Sequence, residues 1–140
     1  MRILGIDHGE VRIGLAVSDE SGLIARPLMV VEHVAREADA ETVARLAAEK
    51  GARLIVIGLP TDAGGEPGHQ ARKVLRWAEA LGRATPIKIE LWDESFTSVE
   101  ADSLMSAHRR GEPREPREPN DAYAAAVMLQ SYLDAHHPAV

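Results

Sequence analysis

The sequence predicts an α/β domain built on a mixed five-stranded sheet, and three observations lead there. Alternating apolar residues open the chain as an antiparallel hairpin. A near-continuous apolar run, Leu54-Ile55-Val56-Ile57, follows a helical segment, as a parallel strand covered on both faces does. Helical and strand periods then alternate to the end of the chain, the pattern of strands joined by crossover helices. At 140 residues the chain forms a single domain, residues 1–140, long enough to bury a sizeable core.

Each element has its own signal. Leu4, Ile6, Ile13, Leu15 and Val17 alternate as a half-buried hairpin, which puts Asp7 at the end of a core strand, and Gly5, Gly9 and Gly14 permit close approach of backbone or ligand. Residues 26–31 read as a third strand, with Pro27 near its start, where a missing N–H does least harm. Ala40, Val43, Ala44 and Ala47 recur at helical spacing over residues 37–50, and Gly51 is a stop. Residues 53–57 are the buried strand. Residues 58–68, rich in Gly and Pro, form a loop leaving its carboxyl end, where open sheets bind ligands. Residues 69–83 form an amphipathic helix with Ala71, Val74, Leu75 and Ala78 inward, and residues 87–92 alternate as a fifth strand ending at Asp93-Glu94. Thr97 with Glu100 is a capping box for a helix through about residue 108, and Asn120 caps a last helix over residues 121–136. Between them the regular prolines of residues 112–119, a Glu-Pro-Arg repeat, forbid a helix.

Composition narrows the function classes. The chain has no cysteine, which removes disulfides and thiolate metal sites, and no run approaches the ~20 apolar residues of a membrane helix. A cytoplasmic location and no membrane partner are expected. The net charge of −6 argues against a protein that coats nucleic acid by bulk electrostatics, yet clustered acids that hold divalent cations give an acidic chain a locally positive site.

The predicted order β-β-β-α-β-α-β-α-α, antiparallel first and crossovers after, is the layout of the ribonuclease H-like fold. Such a fold would bring together acids from two strand ends and a helix start: Asp7, one of the pair Asp93 and Glu94, and Asp121. Several carboxylates can hold two divalent cations, which polarise a phosphodiester, activate water and stabilise the leaving oxygen. Structural roles stand beside these: Asp121 also complements a helix N-terminus, and Glu94 also suits an exposed loop.

Four blocks of the chain resemble the YqgF family of ribonuclease H-like nucleases, relatives of bacterial Holliday-junction resolvases. They are Gly5-Ile6-Asp7-His8-Gly9 with Arg12-Ile13-Gly14-Leu15-Ala16-Val17-Ser18-Asp19, then Val56-Ile57-Gly58-Leu59-Pro60 with Gly64-Gly65, then Trp92-Asp93-Glu94-Ser95-Phe96-Thr97, then Asp121-Ala122-Tyr123-Ala124-Ala125-Ala126. The resemblance implies a metal-dependent nuclease with Asp7, Glu94 and Asp121 as the catalytic, metal-binding acids and Mg²⁺ or Mn²⁺, two ions, as cofactor. It implies maturation of the 5′ end of pre-16S ribosomal RNA, or cleavage of branched DNA. The chain departs from the family at Ser95, where an Arg is usual, and at Arg117-Glu118-Pro119-Asn120, where a Lys is usual. Replacement cations for gripping phosphates are Arg109, Arg110, Arg114 and Arg117, near the last acid, with a solvated linker as the alternative because Glu112, Glu115 and Glu118 interleave with them; Arg12 and Arg72, with Arg114 and Arg117, are the candidate substrate contacts.

Nucleotide-binding kinases of the actin type open on a similar hairpin, but they need two such domains and this length supplies one. An inactive nucleic-acid-binding assembly factor is the other alternative, against which the complete set of acids argues. Trp77 and Trp92 are expected in the core rather than stacked on bases, His8 is read as an incidental turn residue, and His136 and His137 as a frayed tail. Structured RNA or branched DNA is the expected partner, and the chain is expected as a monomer or homodimer.

Overall fold

The computed structural model describes residues 1–60, 68–93 and 120–136, the side chains of Asn120 and Asp121 excepted. The elements run β1 (Ile3–His8), β2 (Arg12–Ser18), β3 (Ala25–Glu32), α1 (Arg36–Glu49), β4 (Leu54–Leu59), α2 (His69–Ala84), β5 (Lys88–Asp93) and α3 (Asn120–His136). The predicted helix over residues 97–108 and the Glu-Pro-Arg segment lie outside the described residues. The five strands form one sheet in the order β3-β2-β1-β4-β5. β1 to β3 are antiparallel in sequence, and β4 joins β1 and β5 joins β4 in parallel. The predicted mixed sheet is therefore present, with β1 at its centre.

Each face of the sheet has its own core. Leu4, Ile6, Ile13, Leu15, Ile55 and Ile57 bury against Val43 and Ala47 of α1 and Val74, Trp77 and Leu81 of α2. On the other face Ile3, Ala16, Leu54 and Val56 bury against Ala125, Met128, Leu129 and Leu133 of α3. This corrects the half-buried hairpin. The residues between the large apolar ones, Gly5, Gly14 and Ala16, are buried as well, because α3 packs closely over them. A Cβ on Gly5 would lie 2.9 Å from Leu129 Cβ, so the missing side chain is what admits the helix.

Loop chemistry fixes the strand ends. Gly51 ends α1 as expected, in the left-handed region at φ 71°. α1 begins without a side-chain cap on Ala35; instead Asp39, only 2% exposed, accepts the Val34 N–H at 3.0 Å and pairs with His33 Nδ1. Between β2 and β3, Asp19 accepts the N–H groups of Leu23 (2.9 Å) and Ile24 (3.1 Å) and the Ser21 hydroxyl (2.6 Å). These bonds hold its carboxyl at about 2, with the serine contributing most. In α2 the buried stripe is Ala71, Val74, Trp77, Ala80 and Leu81, while the expected Leu75 and Ala78 are half-buried. The bulky indole of Trp77 takes the centre of the interface and rotates the stripe. β3, an edge strand, carries a register shift opposite Leu15 and Ala16 that leaves Leu28 without a partner across β2, next to Pro27.

Candidate functional site

The carboxyl ends of the parallel strands form one edge of the sheet, and Asp7 sits there on the central strand. Pairing of Ile6 with Ile57, and of Gly58 with Trp92, aligns Asp7, Gly58 and Trp92 in one row across β1, β4 and β5. Side chains in such a row share a face. That face is the one covered by α3, because Gly5, two residues before Asp7 and on the same side, meets Leu129. Gly58 contributes no side chain to the row, so nothing from β4 stands between Asp7 and Trp92.

The other expected acids are reached only in part. β5 ends at Asp93, one residue before Glu94, which lies outside the described residues. The backbone of Asp121 is in the first turn of α3, the helix packed on the Asp7 face, while its side chain is not described. Among the described residues no group of three or more potential metal ligands occurs. The three acids expected from the sequence would offer carboxylate oxygens, the donors a hard divalent cation takes, in a chain without thiolates.

Two of the four expected cations are described. Arg12 is exposed at the start of β2, and Arg72 is exposed in the first turn of α2. Lys73 Nζ lies 3.0 Å from Glu10 Oε1, which ties that turn of α2 to the β1–β2 connection carrying Arg12. The Lys73 ammonium lowers the Glu10 pKa by hydrogen bond and charge. Gly9 makes the connection tight: its N–H donates to Arg12 O at 2.9 Å, and a Cβ there would be 2.6 Å from the same oxygen. Arg114 and Arg117, with Arg109 and Arg110, lie outside the described residues.

His8 is not an incidental turn residue. It projects from β1 away from Asp7, with its ring 5.0 Å from Trp77 and 6.0 Å from His33, and both ring nitrogens are buried without a hydrogen bond. Burial lowers its pKa, and the facing His33 lowers it further. Nothing in the sequence announced this packing or the burial of Asp39, whose place in the first turn of α1 reads as an ordinary dipole complement. Trp77 is in the core, as expected. Trp92 is half-buried, with Nε1–H directed at Ser131 Oγ (3.3 Å) and its ring edge-on to Tyr132 at 5.3 Å. His136 is not frayed: it stacks on Tyr132 at 3.9 Å and donates from Nδ1 to the Tyr132 carbonyl at 2.9 Å, while His137 lies outside the described residues.

A central strand ending in an acid, inside a β3-β2-β1-β4-β5 sheet with helices on both faces, is the ribonuclease H-like fold, and the family to which the chain belongs makes it a nuclease. The fold is shared with RuvC of Thermus thermophilus, at a TM-score of 0.60 and 19% identity over 97% of this chain and 96% of that one. It is shared also with the fowlpox virus resolvase solved with Holliday junction DNA, at 0.59 and 11% over 98% and 99%. The chain belongs to the RuvX family, described as a Holliday junction resolvase, which it matches over residues 1–135. RuvX and YqgF are one family, so the resemblance read from the four motifs holds. A relative from Anaeromyxobacter sp. is 44% identical over 137 residues, 98% of this chain and 99% of that protein, and carries the name "Putative pre-16S rRNA nuclease". One from Chloroflexus aggregans with the same name is 41% identical over 95% of this chain and 93% of its own.

Proposed function

We propose that this nuclease hydrolyses phosphodiester bonds at the 5′ end of precursor 16S ribosomal RNA in the cytoplasm, using Asp7, Glu94 and Asp121 to hold Mg²⁺ or Mn²⁺. The observation that carries the site is the place of Asp7: the carboxyl end of the central strand, on the face packed by the helix that Asp121 opens. The substrate rests on the full-length relatives named for it.

Asp7 is held by a strand bonded on both sides, so its carboxylate has little freedom to turn away from a ligand. Glu94, the residue after β5, and Asp121, in the first turn of α3, would complete an oxygen donor set. Divalent ions held there would supply electrophilic polarisation of the phosphate and a more acidic water. Arg12 and Arg72 beside the β1–β2 turn, with Arg114 and Arg117, take the neighbouring phosphates and set the register of the strand to be cut. No helix among the described residues is long and apolar enough to cross a membrane.

A second reading, cleavage of four-way DNA junctions by a homodimer, is favoured by the family's description. The test incubates the protein and Asp7→Asn with end-labelled 5′-extended 16S precursor and with a four-way junction, in Mn²⁺, in Mg²⁺ and in chelator. Metal-dependent cuts in the precursor that Asp7→Asn abolishes are the expected result. Preferential cutting of the junction selects the second reading. Binding without cutting by the unmodified protein makes it an assembly factor instead.

A further inference from the structure

The amino ends of the parallel strands, the edge of the sheet opposite Asp7, are lined with cations. Arg2 precedes β1, Arg53 precedes β4 and Lys88 opens β5; register aligns Arg2 with Arg53, one residue before the Ile3–Leu54 pair, while Lys88, paired with Leu54, is on the α3 face. Beside them a cavity of about 310 Å³ is lined by Arg2, Arg26, Lys50, Ser18, Val17, Pro27 and Leu28, with no acid in its wall. Among the described residues none of these five cations is in an ion pair. In a chain of net charge −6 that is a concentration of the minority sign. The nearby Asp19 keeps its negative charge, but its carboxylate is turned into its own loop by Ser21, Leu23 and Ile24 and is not part of the cavity wall.

Local structure accounts for some of this charge. Arg2 donates to the Lys50 carbonyl at 3.2 Å, and Lys50 caps α1, where a cation complements the helix dipole. It does not account for Arg26, exposed on the edge strand, nor for the Arg53 and Lys88 side chains, exposed at the strand starts. An unpaired set of cations around a polar-mouthed cavity suits an anion that brings several charges at fixed spacing, as a nucleic-acid backbone does.

We propose that Arg2, Arg26 and Lys50, flanked by Arg53, form a second phosphate-binding surface that grips the backbone of a folded nucleic acid away from the point of cleavage. The inference rests on the nuclease reading and extends it. From Arg2 to Asp7 the chain covers ~17 Å of strand at ~3.3 Å per residue. The two places are also on opposite faces, since Leu28 and Lys50 sit on the α1 side and Asp7 on the α3 side. Phosphates of an extended single strand lie about twice as far apart as the ~3.4 Å per strand of a stacked duplex, so an oligonucleotide of about two residues cannot touch both. A hairpin wrapped over the sheet reaches both while a dinucleotide cannot, and the chain would favour the longer substrate by this second grip.

The test measures binding of a fluorescent RNA hairpin, and of a short single-stranded oligonucleotide, across a salt series. It compares the unmodified protein, Arg26→Glu/Lys50→Glu and the charge-preserving Arg26→Lys/Lys50→Arg, with cleavage of 16S precursor followed in parallel. Both side chains are exposed; Lys50→Glu loses the favourable cation at the end of α1, a small cost that leaves the fold in place, which circular dichroism and thermal melting check. The expected result is weaker hairpin binding with a salt slope reduced by about 1 to 2, unchanged binding of the short oligonucleotide, and full recovery in the charge-preserving pair. Equal hairpin affinity and slope in the reversal variant overturns the second surface while leaving the nuclease reading intact. Competition of inorganic phosphate with the cavity but no hairpin effect reduces it to a small-anion site and overturns it also. An unmodified protein that neither binds nor cleaves any nucleic acid overturns both readings together.

Discussion

A Cβ placed on Gly5 would fall 2.9 Å from the Cβ of Leu129, closer than a side chain can be accommodated without movement. The contact sets the height of α3 above the central strand, two residues from Asp7. Gly5→Ala must therefore lift the helix that Asp121 opens. The expected cost is about 1–3 kcal/mol of stability, with a loss of cleavage at temperatures where the variant is still folded. Gly82→Ala is the control: its Cβ would meet only Ile89 Cδ1 at 3.9 Å, and alanine in a helix gains about 0.5–1 kcal/mol. Urea denaturation paired with a cleavage assay separates the two, and full activity in a folded Gly5→Ala would sever α3 from the site.

His8 carries two buried nitrogens without partners, against the ring of Trp77. Leaving such a group unsatisfied costs about 1–3 kcal/mol. His8→Phe, similar in shape and free of polar atoms, is expected to raise the melting temperature. A lower melting temperature would mean that water reaches the imidazole.

Acid sensitivity has a defined source in the β2–β3 turn. Asp19 has its pKa lowered from 3.8 to about 2 by the hydroxyl and two N–H groups it accepts. A depressed carboxyl stabilises the fold fully above the unfolded value, and that contribution disappears as pH falls from about 4 through 2. Asp19→Asn should be less stable than the unmodified protein at neutral pH and lose less on acidification. Chemical denaturation at several pH values between these limits checks both; parallel pH curves for the two proteins would remove Asp19 as the source.

Arg12→Ala/Arg72→Ala removes the two described cations beside the site. Substrate affinity should fall, with a salt slope shallower by about 1–2, and the melting temperature should change little because both side chains are exposed. An unchanged slope assigns phosphate contact to other residues.

The sheet was legible because apolar runs and glycine stops dictate strands locally: Leu54 to Ile57 and Gly51 carry their own meaning. What eluded the sequence is made by packing at a distance. The burial of Gly5 and Ala16 depends on a helix more than a hundred residues later, and the burial of Asp39 and His8 depends on how α1 and α2 meet the strands. For the site, Asp7 was legible as an acid at a strand end; the pairing of Lys73 with Glu10 was not, since charges 63 positions apart have no local signature.

The bulge at Leu28 and the imino acid beside it also govern what the molecule avoids. β3 is an outer strand, and an outer strand with an unbroken row of N–H groups invites another chain to add on. Here Pro27 has no N–H, the extra residue throws the row out of step, and Arg26 and Glu32 place charges at either end. A neighbouring sheet finds no ladder to continue. Whatever adds to this sheet must therefore do so at its other edge, β5, and not here.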